Sequence, residues 1–216
     1  MDTNIKKILD NAAGPLVRPN VDRPALAQWG AHGLELADLL EKMNGFFLIE
    51  STIHVFPWTS SQRKISIEKF NAKDGWRSAY WHNCANLLFF AADAFGNLFG
   101  IDGDGIVFFD AETGDWIPWA STFEEWAGKI LADRGETLGY PAMEAWQDAN
   151  GPIDEGKRLL PKKGLVFGGT TELANLAAVD LVDSLGYRGD LATQIKDLPD
   201  GATICVEWTG NTGAHK

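Results

Sequence analysis

The chain has 216 residues, of which 45% are hydrophobic and 23% charged, so it can bury a sizeable core and is too apolar for wholesale disorder. Its 19 basic and 30 acidic residues give a net charge of −11, which disfavours nonspecific binding to nucleic-acid phosphates and favours cationic partners. The chain holds no apolar run of about 18 residues and its N-terminal segment lacks a hydrophobic leader region. These features predict a cytoplasmic protein without membrane contact.

The N-terminal part of the sequence predicts helices. A short amphipathic helix is expected over residues 4–13, followed by an extended, proline-containing connector over 15–24. Apolar spacing indicates a further helix over 25–43, broken by Gly30 and Gly33. The Asn-Gly pair that follows is typical of a helix stop, because both residues accept a positive φ.

The middle of the sequence predicts strands. Residues 46–58 are β-branched and aromatic, which favours a single strand that leaves the sheet irregularly at Pro57. Residues 65–80 are expected to start as a strand and to continue as a helix or loop. Three short apolar runs separated by AFG and GDG then indicate an antiparallel meander: NLLFFAAD, NLFGID and GIVFFD.

The C-terminal part alternates helix and strand signals. STFEEWAGKILADR predicts a helix capped by Ser121 or Thr122, with two glutamates in its first turn. Thereafter we expect a strand over residues 164–169, a helix over 171–185 and a closing strand over 202–208.

The order of these elements predicts an α+β fold with a central, mostly antiparallel sheet and flanking helices, plus a small mixed α/β C-terminal extension. Residues 1–138 are expected to form the main domain and residues 139–163, rich in proline, glycine and charge, a connector. Residues 164–216 would form the extension, packed on the same domain.

The acidic glycine-rich run at Asp102–Gly105 is predicted to be a hairpin turn. Asp102 and Asp104 supply two oxygen ligands, but Ile106 stands where a calcium loop needs a third. No lysine follows as a phosphate loop requires, and the carboxylates would repel phosphate. An Asp-Gly pair does provide the positive φ of a tight turn. Neither a metal nor a cofactor is therefore expected.

A search for catalytic groups also favours a protein without enzymatic activity. Cys84 and Cys205 are far apart in the chain and are expected to be reduced, and His82 is too close to Cys84 in sequence to be aimed at it readily. GGTTELAN resembles a phosphate-binding helix start, yet helix capping explains it equally well. An enzyme or ligand binder that uses either region stays an open alternative.

The segment between Arg77 and Lys129 contains no lysine or arginine, although it carries many acids, Asp93 among them. Acids in turns are commonly a solvated rim of a sheet. The sharper hypothesis is one contiguous negative face with exposed rings, suited to a basic protein partner and centred on the loop at residues 110–119. The candidate partner-binding residues are Asp102, Asp104, Asp110, Glu112, Asp115, Trp116, Trp119, Glu124 and Glu125.

The central part of the chain, FFAADAFGNLFGIDGDGIVFFDAETGDWIPWASTFEEW, resembles the signature of the SUKH superfamily, which includes the yeast cell-wall-synthesis regulators. Upstream, LADLLEKMNGFF is similar to the helix of that family, so the resemblance covers about residues 36–126. Residues from 161 onward resemble, more loosely, a C-terminal extension of some bacterial members. The positions that match the signature are Asp93, Gly96, Phe99, Gly105, Val107 and Phe123.

The resemblance implies an α+β domain that binds proteins. Bacterial members are chiefly immunity proteins, which neutralise a co-encoded toxin that is often a nuclease, and no catalytic residue is carried over with the resemblance. The leading expectation is therefore an immunity protein whose partner is a cognate toxin with a basic surface. An adaptor or regulatory module for an endogenous protein is the alternative, and the neighbouring genes would separate the two. The oligomeric state is left open.

Overall fold

The structure, a computed structural model, describes residues 3–59, 65–133, 135–199 and 201–202. It is an α+β fold with a six-stranded antiparallel sheet, a second sheet of two strands, and helices around both. The predicted fold class is therefore confirmed. Residues 203–208 of the strand expected over 202–208, Cys205 among them, lie outside the described residues.

The helices are α1 Asn4–Asp10, α2 Arg23–Ala27, α3 Gly30–Lys42, α4 Ile67–Phe70, α5 Trp81–Cys84, α6 Phe123–Asp133, α7 Tyr140–Asn150 and α8 Leu181–Ile195. Short 3₁₀ helices span Trp76–Tyr80, Leu165–Phe167 and Leu173–Asn175. The strands are β1 Phe46–Leu48, β2 Ile53–Val55, β3 Leu88–Ala92, β4 Leu98–Ile101, β5 Ile106–Phe109, β6 Trp116–Ala120, β7 Lys157–Pro161 and β8 Leu176–Asp180.

The central sheet is a simple meander in the order β1-β2-β3-β4-β5-β6, and each strand is antiparallel to its neighbour. The predicted meander of the three apolar runs is confirmed as β3, β4 and β5. The turn between β4 and β5 is also confirmed: Gly103 has a φ of 103°, and Asp102 Oδ1 accepts hydrogen bonds from the backbone N–H groups of Asp104 and Gly105, both at 2.9 Å. The outer strands β1 and β6 form the two edges.

Aromatic side chains fill both faces of this sheet. On one face, Phe90 packs on Phe123 and Trp126 of α6, with ring centroids 4.9 and 5.5 Å apart. On the other face, Phe89 lies 5.5 Å from Trp76 and 5.2 Å from Phe109. These side chains are buried, so most of the large rings in the composition build a core of three layers.

The predicted single strand over residues 46–58 is wrong, because the chain reverses within it. β1 and β2 pair as a hairpin, and the turn between them places Ile49, Glu50 and Ser51 at positive φ values of 49°, 48° and 69°. Residues with a Cβ rarely adopt this conformation, and the turn contains no glycine that would have revealed it.

The predicted strand start at residue 65 is also wrong. Ser66 Oγ accepts a hydrogen bond from the backbone N–H of Lys69 and so caps α4, whose Ile67 and Phe70 side chains are buried in the core. The cap and the apolar spacing of one helical turn decide the structure here.

The helix break near Gly30 is confirmed, since α2 ends before it and Gly30 has a φ of 68°. Gly33, by contrast, lies inside α3. A Cβ there would lie 1.9 Å from the carbonyl oxygen of Leu26, so this glycine permits the close packing of α2 on α3 and does not break the helix.

The C-terminal predictions fail at two places. The strand expected at residues 164–169 is a 3₁₀ turn, closed by a hydrogen bond of 3.1 Å from the Phe167 N–H to the Gly164 carbonyl. The helix expected over residues 171–185 begins only at Leu181, where Asp180 caps α8, because the residues before it form β8 and pair with β7. Tertiary pairing here overrides local helix propensity.

The segment expected to be a connector, residues 139–163, contains α7 and β7. It is tied to the main domain, because Leu159 donates its N–H to the Ala94 carbonyl at 2.9 Å, and Ala94 in turn donates to the Leu138 carbonyl at 3.2 Å. It thus supplies one strand of the smaller sheet, while the extension supplies the other. None of the helices in the described ranges has the length and apolarity that a membrane crossing requires.

Candidate partner-binding surface

The β5–β6 hairpin, residues 106–120, lies at an edge of the central sheet and exposes two adjacent apolar side chains. Trp116 is 39% exposed and Ile117 is 58% exposed, whereas the large side chains of β3, β4 and β5 are largely buried. Asp115, directly before them, is exposed as well. An exposed aromatic ring and an exposed aliphatic side chain beside a carboxylate are typical of a surface that binds another protein.

The local structure holds the Trp116 ring in place. Its Nε1–H donates a hydrogen bond of 3.1 Å to the carbonyl of Asn83, in the neighbouring helix α5. The Asn83 side chain in turn donates to the Gly114 carbonyl at 2.9 Å and fixes the turn of the hairpin. A ring that is already oriented loses little rotational freedom when a partner covers it.

The edge strand β6 is poorly suited to pairing with a strand of another protein. Pro118 in its centre has no N–H to donate, and the carbonyl of Trp119 already accepts a hydrogen bond from Lys129 Nζ. Recognition at this hairpin would therefore use side chains and not backbone pairing.

The acids in the turn of the hairpin, residues 110–115, have different roles. Asp110 Oδ1 accepts the backbone N–H of Glu112 at 2.7 Å and so shapes the turn. Glu112 is half-buried, and its Oε1 accepts the N–H of Leu165 at 2.7 Å from the C-terminal extension, while burial raises the pKa of this carboxyl. Only Asp115 is an exposed carboxylate without such a structural role in the described residues.

The remaining predicted acids lie at the opposite end of β5. Asp102 is engaged within its own turn, and Asp104 is exposed. Glu124 accepts the backbone N–H groups of Asn4 and Ile5, at 2.5 and 3.2 Å, and so caps α1.

Glu125 caps its own helix, α6. It accepts both the N–H and the hydroxyl of Ser121, at 2.9 and 2.6 Å, and forms an ion pair of 3.0 Å with Lys129. Hydrogen bonds from Ser121, followed by the contact with Lys129, lower the pKa of this carboxyl to about 2. Four strand residues of about 3.3 Å each separate this end from the other, so the acids form two groups about 13 Å apart.

The predicted tryptophans have different environments. Trp119 is partly buried, and its ring packs on Phe99 and Phe108 with centroid distances of 5.4 Å in both cases. It is therefore part of the core, and of the predicted pair only Trp116 has an exposed side chain. Sequence reasoning does not single out Ile117, because a lone isoleucine in a strand usually points inward.

The groups considered for catalysis do not assemble into a site. Cys84 is a buried free thiol whose pKa is raised by burial, which disfavours the nucleophilic thiolate. His82 is exposed on the same short helix. The residues at 168–175 do not begin an α-helix, and within the described part of the chain no group of three metal-ligating side chains comes together.

Three arginines, Arg77, Arg158 and Arg188, are buried, although no local sequence pattern indicates it. Arg77 donates to the carbonyls of Cys84 and Leu87, at 2.5 and 3.1 Å, and holds the start of β3. Arg158 and Arg188 flank the turn between β3 and β4, next to the buried carboxyl of Asp93. Burial raises the pKa of Asp93 to about 6 and lowers the pKa of Arg158 to about 10.

By fold, the chain is an α+β protein organised around a six-stranded antiparallel meander. No family model and no curated protein matches its sequence. Among solved structures, the chain is similar to Atu4351 from Agrobacterium tumefaciens, with a TM-score of 0.60 over 84% of this chain and 86% of that one. The two sequences are 12% identical, so this similarity concerns the fold alone.

Proposed function

We propose that the chain is a cytoplasmic immunity protein, which has no catalytic activity of its own and blocks a co-encoded toxin by occluding its active surface. The observation that carries the proposal is the exposed pair Trp116 and Ile117 beside Asp115, at the edge of a sheet whose other large side chains are mostly buried. The resemblance of residues 36–126 to the SUKH superfamily supplies the biological class.

The charge of the chain supports a basic partner. A nuclease must present a basic surface to its substrate, because binding to nucleic acid depends on contacts with phosphates. A protein with a net charge of −11 is attracted to such a surface, and Asp104 and Asp115 place exposed negative charge at both ends of the β5–β6 hairpin. The rings and aliphatic groups between them would supply the anchor.

The first test is co-expression with the product of the neighbouring gene. We expect that product to arrest bacterial growth when expressed alone, and the chain to restore growth and to form a stable complex with it. A neighbour that is harmless, together with a chain that binds another cellular protein, would favour the adaptor alternative and contradict the proposal.

The electrostatic contribution to toxin binding is tested by replacing the exposed acids with lysines. The variant Asp104→Lys/Asp115→Lys should associate with the toxin at least about tenfold more slowly at low salt, as in other electrostatically steered complexes. The matched control is Glu136→Lys/Asp148→Lys, which makes the same change of net charge near the opposite edge of the sheet. Equal rates for the two variants would exclude the hairpin as the docking surface.

The contribution of the exposed Trp116 ring to toxin binding is tested by truncating this side chain. Trp116→Ala should raise the dissociation rate by about thirtyfold or more, the effect of losing about 2 kcal/mol at a binding hot spot. Leu173→Ala is the control, because Leu173 is 41% exposed and lies in the C-terminal extension. If Trp116→Ala lowers the melting temperature and leaves dissociation unchanged, the ring serves the fold and not the interface.

A further inference from the structure

A cavity of about 680 Å³ opens in the C-terminal part of the molecule. Its walls are the two-stranded sheet β7–β8, the helix α8 and the 3₁₀ turn Leu165–Phe167, and Glu112 of the β5–β6 hairpin closes one side. This volume falls within the range of about 300–1,000 Å³ that is typical of sites for small organic molecules.

The cavity exists because the smaller sheet uses its two faces differently. Side chains alternate along each strand, so cross-strand partners share a face. On one face, Leu159 packs against Met143 of α7 in a small second core. On the other face, Leu160 is paired with Ala177, and both lie half-buried along the cavity wall.

The interior of the cavity is mostly apolar. Besides Leu160 and Ala177 on the sheet, its lining includes Val179, Phe167 and Leu191. In the described residues no side chain fills the space between them. Half-exposed apolar side chains around a concave space either form the wall of a ligand site or lower the stability of the fold.

A buried cation lies at one side of this apolar space. Arg188 is 5% exposed, and its Nη1 and Nη2 atoms each donate a hydrogen bond of 3.0 Å to a backbone carbonyl, of Phe95 and Gly96 respectively. Its Nε–H has no partner among the described residues, and no carboxylate there lies within ion-pair distance. The carboxyls of Asp93, Glu112 and Asp110 act on this guanidinium only from beyond ion-pair distance, so its buried positive charge is compensated only in part.

A second cation stands at the rim. Lys163 is exposed, lines the cavity and has no carboxylate partner in the described part of the chain. Two acids also line the cavity, but Glu112 is already engaged by the Leu165 N–H, and Asp183 is exposed on α8. In a strongly acidic chain, this cavity therefore combines an apolar wall with three cationic side chains, Arg188, Lys162 and Lys163, none of which has a carboxylate within ion-pair distance among the described residues.

We infer that the cavity binds a small amphipathic organic anion, a monocarboxylic acid whose apolar body lies against β7–β8 and whose carboxylate lies between Arg188 and Lys163. The carboxylate would pair with Nζ of Lys163 at the rim and lie near the guanidinium of Arg188, whose buried charge it would help to compensate. The apolar body would cover the half-exposed side chains of the sheet. This site is separate from the surface proposed for the toxin, apart from Glu112, which contributes to the wall.

The test uses the full chain and two probes of equal length, octanoate and octan-1-ol, followed by ¹H–¹⁵N NMR titration. We expect octanoate to bind with a dissociation constant of about 1 mM or below, and octan-1-ol to bind at least about tenfold more weakly, because a hydrogen bond to a charged group is stronger than one between neutral groups. The amide shifts should be confined to β7, β8, α8 and the 3₁₀ turn Leu165–Phe167.

Two pairs of variants locate the ligand. Ala177→Phe places a ring in the cavity and should abolish octanoate binding, whereas Ala174→Phe, at an exposed position outside the cavity, should leave it unchanged. Lys163→Gln should weaken octanoate binding several-fold without affecting octan-1-ol. Arg188→Gln should remove the difference in affinity between octanoate and octan-1-ol. If Arg188→Gln fails to fold, Lys163→Gln still tests the role of the positive charge.

Three results would overturn the inference. The first is the absence of saturable amide shifts with octanoate up to about 10 mM, the range of the weakest specific ligands. The second is equal affinity for the acid and the alcohol. The third is octanoate binding that survives Ala177→Phe. If that variant instead weakens binding of the toxin, the cavity receives a side chain of the protein partner.

Discussion

The two sheets of the molecule bury their apolar side chains to very different extents. The central sheet is covered on both faces, by α6 with the N-terminal helices on one side and by the 3₁₀ helix Trp76–Tyr80 on the other. The β7–β8 sheet packs one face against α7, while Leu160, Ala177 and Val179 on its other face line the cavity. The central sheet thus contributes most of the buried apolar core, while the second sheet keeps apolar side chains that a ligand could contact.

The largest change in stability is expected when one leucine from each sheet is truncated and the two variants are compared. Leu98 in β4 is fully buried, and Leu98→Ala should lower the free energy of unfolding by about 2–5 kcal/mol, because the substitution leaves a cavity. Leu160 in β7 already borders a cavity, so Leu160→Ala should cost only about 1 kcal/mol of lost burial. Urea denaturation with both variants measures the difference.

Equal losses in the two variants would contradict the comparison. The slope of the unfolding free energy against urea should stay the same in both, which confirms that the compactness of the folded and unfolded states has not changed.

A second prediction concerns Asp93, at the junction of the two regions, whose pKa is raised from 3.8 to about 6 by burial. The folded state therefore holds this proton more tightly than the unfolded state, so the contribution of Asp93 to stability is greatest below about pH 4 and decreases as the pH rises to about 6. At about 1.4 kcal/mol per pH unit, the decrease approaches about 3 kcal/mol.

The measurement is the unfolding free energy of the unmodified chain minus that of Asp93→Asn, at pH values from 4 to 7. The variant cannot titrate at this position, so the difference isolates Asp93 from the other carboxyls. A difference that does not vary with pH would mean that Asp93 ionises normally in the folded chain.

A third prediction compares two neighbouring acids in the turn of the β5–β6 hairpin. Glu112→Ala leaves the N–H of Leu165 without its acceptor and should destabilise the chain by about 1–2 kcal/mol. Asp115→Ala, at an exposed position, should change stability by no more than about 0.5 kcal/mol. Thermal denaturation gives both values.

Hydrogen exchange adds the location of the effect. In Glu112→Ala, the amides of the 3₁₀ turn Leu165–Phe167 should exchange faster, while those of β4 and β5 keep their protection. Faster exchange throughout the chain would show that Glu112 supports the central sheet and not the extension.

The smallest expected effect is that of the variant proposed for binding. Asp104→Lys/Asp115→Lys should alter the free energy of unfolding by no more than about 0.5 kcal/mol for each substitution, because both side chains are exposed and neither supports a turn or cap. A reversal of Asp110 and Glu112 would not be a clean test of charge, since both carboxylates accept structural hydrogen bonds. Equilibrium unfolding checks this before any binding experiment is interpreted.

Local sequence patterns predicted the elements whose signals lie within a few residues. The meander of β3, β4 and β5 follows from short apolar runs with glycine turns, and α6 from a capped start and an apolar face. The hairpin of β1 and β2 has no such signal, because its turn uses residues that rarely adopt positive φ. The partner-binding surface was predicted only in part. The sequence shows the acids and Trp116, but it does not show which hydrogen-bond partners they have.

The sequence by itself determined the fold class, the acidic character of the chain and the central part of its main sheet, because periodicity, turn chemistry and charge are local properties. Only the tertiary structure decided which acids are available to a partner, since Glu112 and Glu124 are bound by backbone groups 53 and 120 residues away in the chain. It also decided that residues 176–180 are a strand, because β7 offers them a partner. The cavity beside Arg188 has the same origin: its walls come from segments that are distant in sequence and meet only when the chain is folded.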